Sequence, residues 1–134
     1  MKYNDLIIGA KYEETRLVTT EDVLHFANLS GDFNPVHTNE EHAQNTIFGG
    51  RIVHGMLVAS YISKAIATDM PGPGAIYMQQ NLNFIKPIYH NSFISIVIEV
   101  QQLKVDKKIV FLNTSVWMDN ILVVQGDAVV KCTD

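Results

Sequence analysis

The sequence predicts an α+β fold in which one long, buried helix lies on one face of an antiparallel sheet of four or five strands. Three observations carry this expectation. Residues 55–68 place Met56, Leu57, Ala59, Ile62, Ala65 and Ile66 around so much of a helical circumference that the segment should be buried on most sides. Beyond Gly74 the apolar period changes to two: Ile94, Ile96, Ile98 and Val100 alternate with Ser95, Val97, Glu99 and Gln101, as in a strand with one buried face. Between these regions Pro71-Gly72-Pro73-Gly74 can hold neither a helix nor a central strand, so it divides a mostly helical half from a strand-rich half.

The elements follow in order. Residues 11–18 are a weaker strand candidate. Thr19 with Asp22 three residues later forms a capping-box-like start, and Val23, Leu24, Phe26 and Ala27 supply an apolar face for a short helix ending at Ser30. Residues 32–38 read as irregular. Asn39 then serves as the N-cap of a second brief helix, with Glu40 and Glu41 in its first turn and its end near Gln44. Residues 75–85 add a strand before Pro87. Asp106-Lys107 and Asp119-Asn120 are short turn signals, so the last three strands should pair as a meander.

A chain of 134 residues fits a single domain, 1–134, able to bury a core without disulfides or metal. Hydrophobic residues make up 47% and charged residues 18%, a greasy balance that a buried subunit interface would explain. The net charge is −4, and no basic run exceeds Lys107-Lys108, so neither a nucleic-acid footprint nor a membrane-surface patch is visible. Small molecules are the expected partners. Cys132 is the only cysteine, which excludes an internal disulfide and fits a reducing compartment. Residues 1–10 lack a secretory pattern, and the longest apolar stretch, 56–67, is too short to span a bilayer; the expected location is cytoplasmic.

The segment suited to chemistry is Phe26-Ala27-Asn28-Leu29-Ser30-Gly31-Asp32-Phe33-Asn34-Pro35-Val36-His37, followed by Ala43. Pro35 fixes its own φ and moves Asn34 out of the α region, which stiffens the loop. A stiff loop can aim Asp32 and His37 at one spot, and an imidazole that titrates near neutrality beside a carboxylate suits activation of one water. The same residues also make an ordinary surface turn, with Asp32 and Asn34 satisfying local backbone groups.

This run resembles the hydratase motif of the MaoC-like, (R)-specific enoyl-CoA hydratase family, in its aromatic Phe26, small Ser30, Gly31-Asp32, Asn34-Pro35, aliphatic Val36, His37 and small Ala43. The likeness continues through residues 48–57, similar to the family's approach to its central helix, and through residues 81–87, similar to its following strand. It implies a hot-dog fold, a long helix wrapped by an antiparallel sheet, assembled as a homodimer or a higher homo-oligomer with acyl tunnels near the interface. The implied reaction is reversible hydration of trans-2-enoyl-CoA to the (R)-3-hydroxyacyl thioester by syn addition. The family's catalytic acid and imidazole fall on Asp32 and His37.

During water attack, negative charge gathers on the thioester oxygen. Gly55 opens the predicted central helix, where unpaired N–H groups favour an oxyanion, although glycine there also simply eases the turn into a tightly packed helix. Asn34 and Ser60 are expected to support the site, Ser60 by the resemblance, although a helical serine commonly bonds its own backbone. No metal or organic cofactor is expected; His25, His42, His54 and His90 show no ligand spacing and read as ordinary histidines. Met56, Leu57, Ile76 and Met78 are candidates for closing the far end of the tunnel. Where the family often has Gly-Asp, this chain has Tyr89-His90-Asn91-Ser92, a turn expected to lie away from the chemistry. Three alternatives remain open: a 3-hydroxyacyl-ACP dehydratase running the reverse reaction, a thioesterase, and a non-catalytic module that binds acyl thioesters. Sparse Lys and Arg favour CoA over the carrier protein.

Overall fold

The computed structural model describes residues 2–133. Five strands, β1 (Lys11–Val18), β2 (Ala75–Phe84), β3 (Ser92–Lys104), β4 (Ile109–Met118) and β5 (Ile121–Cys132), form one antiparallel sheet in the order β1-β3-β4-β5-β2. The expected meander is β3-β4-β5. Its second hairpin turns at Asp119 and Asn120, with φ of 52° and 62°, the left-handed pair that matches the twist of the flanking strands. β3 extends beyond the alternating stretch at both ends, and Ile94, Ile96, Ile98 and Val100 all point into the core as their period requires.

Four α-helical segments precede β2 among the described residues: α1 (Thr20–Ser30), α2 (Pro35–Thr38), α3 (Glu40–Gln44) and α4 (Gly55–Lys64). At the start of α1, Thr19 accepts from the Asp22 N–H while the Asp22 carboxylate accepts from the Thr19 N–H, a complete capping box. Gly31 ends α1 in the left-handed region, φ 82°. Residues 32–38 are not wholly irregular: Asn34 caps Val36, Pro35 occupies the first position, and one helical turn, α2, results. That turn follows from the same proline that suggested a stiff loop.

α4 continues through one π-helical turn, Ala65–Asp69. Leu57, Val58, Tyr61, Ile62, Ala65 and Ile66 pack with Ile94, Ile96, Ile98, Val110, Leu112 and Val116 of the sheet in a single core. Burying a side chain such as Ile62 contributes roughly 1.5–3 kcal/mol, so this interface fixes α4 on the sheet. Burial is nevertheless one-sided: Met56 is exposed, so the apolar circumference of this helix overstated how far it is enclosed.

Two ties place the N-terminus of α4 beside the chain that leaves β2. The Val53 N–H donates to the Ile88 carbonyl at 2.7 Å, and Ile52 pairs with Tyr89 in an isolated antiparallel bridge.

Candidate active site

The loop between α1 and α2 is built from short-range hydrogen bonds. Ser30 Oγ donates to the Phe26 carbonyl at 2.7 Å and accepts from the Asp32 N–H at 3.1 Å. Asp32 Oδ1 accepts from the Asn34 N–H at 3.2 Å, and Asn34 Oδ1 from the Val36 N–H at 3.3 Å. Asp32 and Asn34 therefore do make the local turn that their types suggest. The turn does not use up Asp32, whose side chain is half exposed with Oδ2 directed towards His54 at 4.0 Å.

α2 is stitched to the segment before α4. The Ile52 N–H donates to the Val36 carbonyl at 3.1 Å, and the Ile52 carbonyl lies 2.9 Å from His37 Nδ1. A carbonyl can only accept, so Nδ1 carries the proton and Nε2 of a neutral His37 presents its lone pair. Burial holds the His37 pKa below its ordinary value; the His54 imidazole lowers it further, while the Ile52 carbonyl and the Asp32 carboxylate push the other way. His37 is thus neutral at pH 7.

Asp32, His37 and His54 come together: one carboxylate oxygen and one nitrogen of each ring all lie within 4.8 Å of one another. Donor and acceptor atoms at that separation can share one water molecule. His54 is 2% exposed, its ring stacks on His37 with centroids 4.0 Å apart, and Phe26 covers it at 4.9 Å. His54 Nε2 sits 3.0 Å from the Asp32 carbonyl and so carries the proton. That donor set suits a metal poorly, because a nitrogen donating to a carbonyl has no lone pair for an ion.

His37 opens onto a cavity of about 420 Å³ lined by Ile52, Val53, Val58, Phe84, Ile88 and Val124 among other apolar residues, with Lys86 as its one charged side chain. Gly55 borders the same cavity at the first position of α4. The N–H groups of Gly55 and Met56 have no hydrogen-bond partner among the described residues, as the start of a helix leaves them. Gly55 also packs tightly: a Cβ there would fall 2.8 Å from Cε1 of Phe84. The packing bears out the spacer reading of this glycine, and the two N–H groups at the cavity rim are placed where a donor would stand.

The chain matches the MaoC like domain model over residues 6–121. It belongs to the MaoC-like family. An (R)-specific enoyl-CoA hydratase of Rhodospirillum rubrum is 38% identical, with 96% of this chain and 89% of that protein covered. A mitochondrial 3-hydroxyacyl-[acyl-carrier-protein] dehydratase of Arabidopsis thaliana is 34% identical, with 92% and 75% covered. Among solved structures, the unliganded R-hydratase of Pseudomonas aeruginosa superposes with a TM-score of 0.93 at 39% identity, covering 98% of this chain and 84% of that one. The fold is the hot-dog fold, as the motif implied.

Within this MaoC-like domain the site residues of the motif separate into groups. His37 and Gly55 line the cavity, and Asp32 lies beside His37. Asn34 caps α2 and acts by shaping the loop. The Ser60 hydroxyl donates to the Leu57 carbonyl at 2.6 Å, within its own helix, so the expectation that it holds the active loop is replaced by a local bond. Met56, Ile76 and Met78 are exposed and do not line the cavity; Val53, Val58, Phe84 and Val124 do.

Sequence reasoning passed over His54, whose placement between buried Val53 and the helix-opening Gly55 was the available signal. It also put the turn at residues 89–92 too far from the chemistry. Tyr89 bonds the Phe48 carbonyl at 2.7 Å, His90 Nδ1 lies 3.1 Å from Thr20 Oγ1, and the backbone of His37 and Ile52 acts on the His90 ring, whose pKa burial lowers.

Proposed function

We propose that this chain catalyses the reversible, (R)-specific hydration of trans-2-enoyl-CoA to (R)-3-hydroxyacyl-CoA. The observation that carries the reading is a neutral His37, its Nδ1–H fixed on Ile52 and its Nε2 free, beside the Asp32 carboxylate at the mouth of an apolar cavity. The hydratase and dehydratase relatives support the same chemistry in its two directions.

In this mechanism the Asp32 carboxylate accepts one O–H of the attacking water and His37 Nε2 takes the proton of the other. The oxygen bonds to Cβ while the C=C electron pair moves towards the thioester carbonyl, and the Gly55 and Met56 N–H groups receive the growing negative charge. The proton on His37 then passes to Cα on the same face, so H and OH are added syn and the enzyme is restored. No metal or organic cofactor enters these steps. Acyl carbons occupy the cavity, and Lys86 offers a cation to the phosphates of CoA.

A homodimer completes the assembly. β2 is bonded to β5 along one edge only, and its Ile76, Tyr77, Met78 and Phe84 are exposed, a strand edge and apolar surface that a second copy would cover. No helix among the described residues is long and apolar enough to cross a membrane. A cytoplasmic location is supported by the single cysteine, which allows no internal disulfide.

Turnover of crotonyl-CoA tests the reading. The expected result is loss of the conjugated double bond without thiol release, giving the (R)-3-hydroxy product. Thiol release would indicate a thioesterase, and tight binding without turnover would indicate a binding module. Faster dehydration of the ACP-linked than of the CoA-linked 3-hydroxyacyl thioester would reassign the carrier.

A further inference from the structure

His54 joins the two members of the pair from beneath, and nothing in the proposed chemistry consumes it. Its Nε2–H holds the carbonyl of Asp32 at 3.0 Å, and its ring supports His37 face to face with centroids 4.0 Å apart and planes inclined by 29°. It is 2% exposed, so neither contact is shared with solvent. Its other nitrogen, Nδ1, is buried with no hydrogen-bond partner among the described residues. Burying an imidazole at a position that packing alone would give to a phenyl ring carries a desolvation cost that only the Nε2 bond offsets.

We infer that His54 is a positioning residue that sets the separation of the Asp32 carboxylate and the His37 imidazole, locking the loop to the N-terminus of α4. The inference rests on the hydratase reading for its meaning but on the geometry for its content. His54 immediately precedes Gly55. One rigid residue therefore fixes the acid, the base and the amide hydrogens in a common frame. Asp32 and His37 lie on a loop and a single helical turn, elements with little intrinsic rigidity, so an external anchor is what such a pair requires.

Two variants separate anchoring from filling. His54→Phe keeps the ring and its stacking but loses the donor; His54→Gln loses the ring and retains an N–H in reach of the Asp32 carbonyl. Positioning predicts that His54→Phe lowers kcat on crotonyl-CoA by about tenfold or more with KM changed less than about twofold, and that His54→Gln recovers most of that loss. It also predicts that the acid limb of kcat/KM moves to higher pH in His54→Phe, because His54 disfavours the cationic form of His37. A space-filling role predicts the reverse ranking, with His54→Phe near wild type and His54→Gln impaired.

Amide NMR of the loop provides a readout independent of turnover. Anchoring predicts that the backbone signals of residues 31–34 broaden in His54→Phe, which loses the donor to the Asp32 carbonyl, and are restored in His54→Gln. If the wild-type enzyme does not hydrate enoyl thioesters, the functional reading fails while this NMR contrast still decides the role of His54. A folded His54→Phe enzyme with unchanged kcat, acid limb and loop signals overturns the inference, and if that variant fails to fold, a His54→Gln enzyme with broadened loop signals does so.

Discussion

At the scale of single residues, the proposed chemistry turns on which nitrogen of His37 is free. The Ile52 carbonyl fixes the proton on Nδ1, and burial disfavours the charged ring, so the base is available at neutral pH. His37 must be unprotonated to take a proton from water; its pKa lies below the ordinary imidazole value of about 6.5. Activity is therefore expected to be full above that value and to fall only as pH drops through the lowered pKa, and a kcat/KM profile measured from pH 4 to 8 would show the limb on the acid side of about 6.5. A limb above that value would mean that Asp32 outweighs burial. The sign for stability is the same: the unfolded chain takes up the proton first, so the contribution of His37 is present above about 6.5 and is lost towards acid.

At the scale of elements, the loop, α2 and the start of α4 act as one unit. Gly55→Ala is expected to lower kcat/KM by about tenfold or more, because the added methyl would sit 2.8 Å from the Phe84 ring and displace either the ring or the helix start. Half-exposed Phe84 has room to swing, so thermal melting should show only a small stability loss. Thr19→Ala removes half of the capping box at the other end of α1 and is expected to cost about 1 kcal/mol in urea unfolding with little effect on turnover. These local devices were readable in advance because each is written in adjacent residues: Thr19 with Asp22, Asn39 before Glu40, Asp119-Asn120 between strands. The motif likewise pointed to Asp32 and His37, which the fold brings together. His54 and His90 were not readable, since their roles come from partners 22 residues away in one case and about 70 in the other, contacts that only the folded chain supplies. Ser60 makes the local bond that was one of its two sequence alternatives, rather than the distant one that the resemblance suggested.

At the scale of the whole molecule, the open edge of β2 and the cavity beside Phe84 belong to the same region, so assembly and acyl binding are expected to be linked. Sedimentation should find a dimer, and charge placed on that surface by Met78→Lys should yield monomers with lowered turnover; a wild-type monomer with full activity would remove β2 from the account. The central claim, that Asp32 and His37 together handle one water, is tested most directly by kcat/KM for crotonyl-CoA hydration in Asp32→Asn and His37→Gln. Each should fall by at least ~100-fold with the melting temperature nearly unchanged. Near-normal rates in either folded variant would contradict it.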